Sequence, residues 1–241
     1  MTVPSAADWI AGLDSGRVTW GGDWHEIAPG VFSPSLPLRL DGVFWEITAR
    51  DLQRVADAWG QPARLLTPLV ADLIRDQAAV RLDFVADVSS GRADMDDESA
   101  CRRYSASLDR ALRDRGVDPD GRAPLCCLGA KDWVLTFGLQ RGINPYTGAR
   151  LPPAKVCNYG AFTPGARNLS VSGRYHLIQS PGYEHNGDHR DYSQLARLLW
   201  AEPGATVPAR DGCTISRLPG GSGGELAALG VALAALGLGI G

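Results

Sequence analysis

Apolar positions change their period several times along this chain, and each change marks an element. Over residues 1–47 no period persists. Gly21-Gly22, Pro29-Gly30, Pro34 and Pro37 interrupt short apolar pieces, so turns and extended segments are expected there. The burial of this stretch falls to Trp9, Trp20, Trp24, Phe32, Phe44 and Trp45. A helical period begins at Thr48. Thr48 with Asp51 is close to a capping box, Leu52, Val55, Ala56 and Trp59 share one face, and Gly60 stops the run. Thr67-Pro68 then supplies an N-cap with proline at the first helical position, and Leu69, Val70, Leu73 and Ile74 form the stripe of a second helix ending near Gln77. The two helices are expected to pack as a hairpin.

Residues 79–88 alternate as a strand does, and 89–97 are polar and turn-rich. A third helix runs from about Glu98 to Arg115. Cys101, Tyr104, Leu108, Ala111 and Leu112 form its apolar stripe, arginines and Asp109 cover the opposite face, and Gly116 ends it. Beyond Pro124 the pattern turns strand-like at 132–136, 155–159, 175–179 and 191–200. Long Gly- and Pro-rich connections at 138–153 and 163–173 separate these strands, and such loops tend to carry function. The expected fold is α+β, with helices mainly in the first half and a mostly antiparallel sheet with long loops in the second. Residues 1–218 read as a single domain, 219–224 as a Gly/Ser linker, and 225–241 as an apolar tail or the opening of a further small domain. The tail is shorter than the roughly 20 apolar residues that span a bilayer, so no membrane partner is expected.

Charge narrows the partners. In 241 residues, 24 Lys+Arg face 27 Asp+Glu, a net charge of -3 that leaves no excess to neutralise phosphates, so nucleic acid is not expected. Five cysteines, with Cys126 and Cys127 adjacent, read as buried reduced thiols rather than a zinc ribbon. Cys157 is taken as a core cysteine on its strand. No basic start followed by an apolar stretch opens the chain, so synthesis in the cytoplasm is expected, with action at the cell wall following release or export.

The densest polar stretch is 176–193, which holds His176, Glu184, His185, Asp188, His189 and Asp191. Asn186-Gly187 is a turn dipeptide, so His185 and His189 belong to a loop. Extended chain from His189 onward puts His189, Asp191 and Ser193 on one face. There the imidazole would act as general base, the carboxylate would orient it, and the hydroxyl would be nucleophile or substrate contact. Lys131, at the head of the strand Lys131-Asp132-Trp133-Val134, would stabilise developing negative charge. A histidine that caps a turn and an aspartate that satisfies loop amides form the alternative reading. No metal or other cofactor is expected, although two imidazoles and a carboxylate at His185, His189 and Asp191 are an admissible zinc donor set.

Gly129-Ala-Lys-Asp-Trp-Val, Asn158-Tyr-Gly and His189-Arg-Asp-Tyr-Ser193 follow Ile47-Thr-Ala-Arg-Asp-Leu-Gln-Arg-Val-Ala-Asp and Leu66-Thr-Pro-Leu-Val-Ala-Asp-Leu-Ile. Over about residues 44–200 this order resembles a family of uncharacterised bacterial and phage-associated proteins with no assigned activity. The resemblance implies functional positions at Lys131, Tyr159, His189, Asp191 and Ser193. The chain departs from the family at Ala161-Phe162, where the pattern carries Trp-His. The tail run Leu-Ala-Ala-Leu-Gly-Leu-Gly-Ile-Gly resembles the first helix and turn of small peptidoglycan-binding modules. Together these lead to the expectation of a phage lysin-like hydrolase, of amidase or peptidase type, acting on cell-wall peptidoglycan. His189, Asp191, Ser193 and Lys131 would be catalytic, and Tyr159, Asn158, His185, Tyr192 and Trp133 would contact substrate. The rival expectation is a non-catalytic phage or cell-surface protein whose Trp133, Tyr159, Tyr183 and Tyr192 form a surface for glycan or for a neighbouring subunit.

Overall fold

Side-chain caps start each of the four described helices in the computed structural model, which describes residues 3–84, 97–135, 156–178 and 193–208. Helix α1 (Ala6–Asp14) begins with a full capping box between Ser5 and Asp8. After β1 (Val18–Thr19), β2 (Trp24–Ala28), β3 (Val31–Pro34) and β4 (Arg39–Leu40), Thr48 caps α2 (Ala49–Ala58), its hydroxyl accepting the Asp51 N–H at 3.0 Å. Strand β5 (Ala63–Arg64) leads to α3 (Pro68–Gln77), which Thr67 caps ahead of Pro68. Next come β6 (Val80–Arg81) and α4 (Glu98–Arg113), capped by Asp97. The remaining described elements are β7 (Cys126–Cys127), β8 (Lys131–Leu135), β9 (Val156–Gly160), β10 (Asn168–Leu169), β11 (His176–Leu177), β12 (Gln194–Leu195) and β13 (Leu199–Ala201).

The fold is α+β, and all four described helices lie before residue 114. Two small sheets organise it. The larger has the order β2-β3-β13-β5, antiparallel throughout; the other is β12-β8-β9, with β9 antiparallel and β12 parallel to β8. The larger sheet takes three of its four strands from the first half of the chain, so strands are not confined to the second half. Gly160, at φ 115°, ends β9 against the Ala130 carbonyl, where a side chain would have no room.

Two expectations are corrected. Residues 6–14 are helical; two and a half turns that bury Ala6, Trp9 and Gly12 are too short for a readable period, although Ser5 and Asp8 marked the start. The helical hairpin does not form. Leu52, Val55 and Ala56 of α2 sink into a cluster with Trp9, Phe44 and Trp133, whereas Val70, Ala71 and Ile74 of α3 join Ile27, Val31, Tyr159 and Leu199 in another. The cause is β5, which pairs with β13 between the two helices and leaves α2 against α1 and α3 against β2, β7, β8 and β9. Among the described residues no helix is long and apolar enough to cross a membrane.

Candidate functional site

The larger sheet sorts its side chains by register. Residues directly opposite one another in paired strands project to the same face, and so do residues two apart in one strand. Glu26, Phe32, Trp200 and Ala63 lie opposite one another across the four strands, and Trp24 stands two residues before Glu26. One face of the sheet therefore carries Trp24, Glu26, Phe32, Trp200 and Ala63. The other carries Val31, Leu199 and Ala201, buried in the same cluster as Val70 and Ile74 of α3.

Two further tryptophans from outside the sheet complete the aromatic face. Trp59 is the C-terminal cap of α2, and Trp20 follows β1. Between β1 and β2 the chain keeps its direction but passes through Gly21 and Gly22, at φ 79° and 87°; at Gly21 a side chain would also crowd Ser35 and Ala123. The ring centroids of Trp20, Trp24 and Trp59 are 5.5 to 6.0 Å apart at interplanar angles of 47° to 61°, and Trp200 lies 4.6 Å from Phe32. Trp20, Trp24, Trp59 and Trp200, with Gln61 and Ala63, line a cleft of about 310 Å³. All four indoles are partly exposed and no charged side chain is in the lining. Glu26 stands exposed at the sheet edge, accepting the Gly30 N–H at 2.9 Å.

Centroids this close mean that three indoles touch each other in tilted contact. They form a continuous wall. A cage for a quaternary ammonium needs aromatic faces around a gap, which mutual contact among these three rings leaves no space for. The wall offers apolar, weakly negative ring faces to a flat ligand, with the Gln61 amide beside it.

The sequence-derived residues gather elsewhere. Lys131 opens β8, is only 6% exposed, and its N–H donates to the Ser193 carbonyl at 2.9 Å; its Nζ stands 6.0 Å from the Phe84 ring centre. Ser193 is buried just ahead of β12, whose Gln194 pairs with Lys131. Trp133 is fully buried and its indole N–H donates to the Ile47 carbonyl at 2.6 Å. Across the ladder Asn158 pairs with Trp133 and Tyr159 with Asp132. The buried Tyr159 hydroxyl donates to Asp72 at 2.8 Å and accepts the Val171 N–H at 2.8 Å. Burial, reinforced by the Asp72 charge, pushes that phenol well above its ordinary pKa. Trp133 and Tyr159 are thus core side chains with committed polar atoms, and neither ring offers a face to a substrate. His185, His189, Asp191 and Tyr192, with Tyr183, lie outside the described residues. Of the candidates among the described residues, Lys131, Trp133, Asn158 and Tyr159 lie on neighbouring strands β8 and β9, with Ser193 just ahead of β12.

Other titratable groups nearby are structural. The Arg197 guanidinium donates to Ser33, Pro34 and Cys126, and its Nε is 3.8 Å from Asp132, whose carboxyl burial pushes up to about 6 against the pull of that cation. Burial also raises the Cys126 thiol to about 11 and Cys127 in the same direction, which keeps both protonated and unreactive. His25 meets Ser35 at 2.8 Å, but the Ser35 hydroxyl donates to the Ala123 carbonyl at 2.7 Å inside the core. Among the described residues no three His, Cys, Asp or Glu side chains are grouped to hold a metal ion.

The tryptophan wall was not anticipated. By pattern Trp20 and Trp24 read as buried and Trp59 as part of a helix stripe; the signal the sequence offers is seven tryptophans in the chain, two of them on either side of Gly21-Gly22-Asp23. Comparison with family models, curated proteins and solved structures returns no match. The geometry itself defines the class: an α+β protein with an uncharged aromatic cleft on the outer face of an antiparallel sheet.

Proposed function

We propose that this chain is a carbohydrate-binding protein that holds glycan, peptidoglycan of the cell wall included, against the tryptophan wall. One observation carries the reading: four partly exposed indoles line a cleft without a charged side chain. A pyranose ring has an apolar C–H face and a hydroxyl rim. Stacked on the wall, it gains dispersion contacts and removes apolar area from water while its hydroxyls stay hydrated or reach Gln61. Stacking platforms for single-stranded nucleic acid pair their aromatics with a cationic groove. Here the net charge is -3, Glu26 flanks the wall and the lining holds no Lys or Arg, which favours a neutral ligand. The test is sedimentation with purified peptidoglycan. Wild type is expected in the pellet, with Trp59→Ala and Trp24→Ala left in the supernatant while their circular dichroism stays native. Equal retention of all three proteins, or retention of none, overturns the reading.

A second reading is the hydrolase with His189 as general base, Asp191 as its orienter, Ser193, and Lys131 as electrostatic stabiliser. It is supported by the contact of Ser193, the last residue of the His-x-Asp-Tyr-Ser motif, with Lys131 beside the β8–β12 pairing. The family resemblance on these motifs belongs with this reading. Clearing of cell walls in a gel by wild type and not by His189→Ala supports it; equal clearing, or none, removes it.

A further inference from the structure

A second hollow shares a residue with the tryptophan cleft. About 510 Å³ in volume, it lies between the loop Trp20–Asp23 and the loop Pro119–Arg122, with Thr19 on its margin. Trp20 lines both hollows, so they are neighbours. Each lies in the roughly 300–1,000 Å³ range of small-ligand sites. Their chemistry differs: the first is aromatic and uncharged, and the second is edged by a hydroxyl, two carboxylates and a guanidinium.

Arg122 Nε donates to Asp23 Oδ2 at 2.6 Å and clasps the two loops together. The arginine side chain is 82% exposed and the bond uses one of its donors, which leaves its two terminal amino groups open to the hollow's mouth. Hydrogen bonding to Arg122 holds the Asp23 carboxyl below its ordinary pKa, so it stays an acceptor at neutral pH. Asp120 is neutralised by Arg39 at 2.7 Å and Arg113 at 3.0 Å. With both carboxylates paired to arginines the site presents no unpaired charge, and fixed donors and acceptors side by side suit the vicinal hydroxyls of a sugar.

Building on the reading that the wall holds glycan, we infer that the two hollows are consecutive subsites of one groove that crosses Trp20, and that the ligand is a neutral linear oligosaccharide of at least two rings. One ring stacks on Trp24, Trp59 and Trp200; the next passes Trp20 and is hydrogen-bonded by Thr19, Asp23 and Arg122. A single sugar fills only the aromatic half. Linking two weak subsites through one chain raises affinity steeply, because the second ring binds at high effective concentration.

The experiment is titration calorimetry of the full chain with N-acetylglucosamine oligomers of one to four rings, with a proline-rich peptide and oligothymidylate as further probes. Affinity is expected to rise at least tenfold from one ring to three. Arg122→Ala, a change at an exposed side chain, is expected to lower three-ring affinity about tenfold, and Arg122→Lys to restore part of it. Affinity that is flat with chain length, or an Arg122→Ala protein that matches wild type on three rings, overturns the two-subsite inference and leaves the wall reading standing. No binding at any length, or binding of the peptide or oligothymidylate instead, overturns both.

Discussion

Two groups of aromatic residues in this protein have opposite fates. Trp133 and Tyr159, on neighbouring strands of the β12-β8-β9 sheet, are at most 1% exposed, with the indole N–H given to Ile47 and the phenol held between Asp72 and Val171. Trp20, Trp24, Trp59 and Trp200 lie on the outer face of the other sheet, touch one another or Phe32, and keep part of their surface in water. Residue type alone therefore does not separate an aromatic that stabilises the fold from one that is offered to a ligand. The separation lies in whether a second layer covers the face. Helix α3 covers the inner face of the larger sheet, and the end of α2, with Trp59, borders the outer one beside Trp20.

The contrast can be broken most severely at Trp133. Trp133→Ala empties a fully buried site and is expected to cost about 3–5 kcal/mol in urea unfolding; a loss comparable to that of a wall tryptophan would erase the distinction. The pH dependence of the buried layer is next. Asp132 has a carboxyl raised to about 6, so the folded protein binds that proton more tightly than the unfolded chain does. Its contribution is fully present below about pH 4 and lost as pH rises to about 6, so wild type should lose up to ~3 kcal/mol relative to Asp132→Asn over that window and hold a constant difference above it. A difference that does not vary with pH would refute the assignment.

Tyr159→Phe removes one donor to Asp72 and the acceptor of the Val171 N–H, and an expected loss of about 1–3 kcal/mol is readable from the same unfolding curves. Trp59→Ala, at a half-buried ring, is expected to cost less than about 2 kcal/mol while abolishing retention on peptidoglycan. The smallest effect is none. With no titratable side chain lining the tryptophan cleft, and Asp23 held below its ordinary pKa, glycan affinity should be level between pH 5 and 8; a slope there would require a titrating group in the groove.

Much of the local structure is legible in the sequence. Thr48, Thr67 and the Gly116 stop framed α2, α3 and α4, because a cap and a 3.6-residue stripe act within a dozen residues. Strands β8 and β9 were likewise marked by their apolar runs. The pairing of α2 with α3 was misread, because a strand of two residues between them leaves no periodic trace yet reverses which layer each helix joins.

Sequence alone determined the segments of α2, α3 and α4, the α+β class, and the slightly acidic charge balance, since these depend on neighbours along the chain or on composition. Tertiary structure decided which tryptophans are core and which are wall, and that Lys131 meets Ser193. Trp20 and Trp200 are 180 positions apart in the chain, and only the pairing of β13 with β3 and β5 puts them around one cleft. Burial is a property of the layer above a side chain, and that layer comes from another part of the sequence.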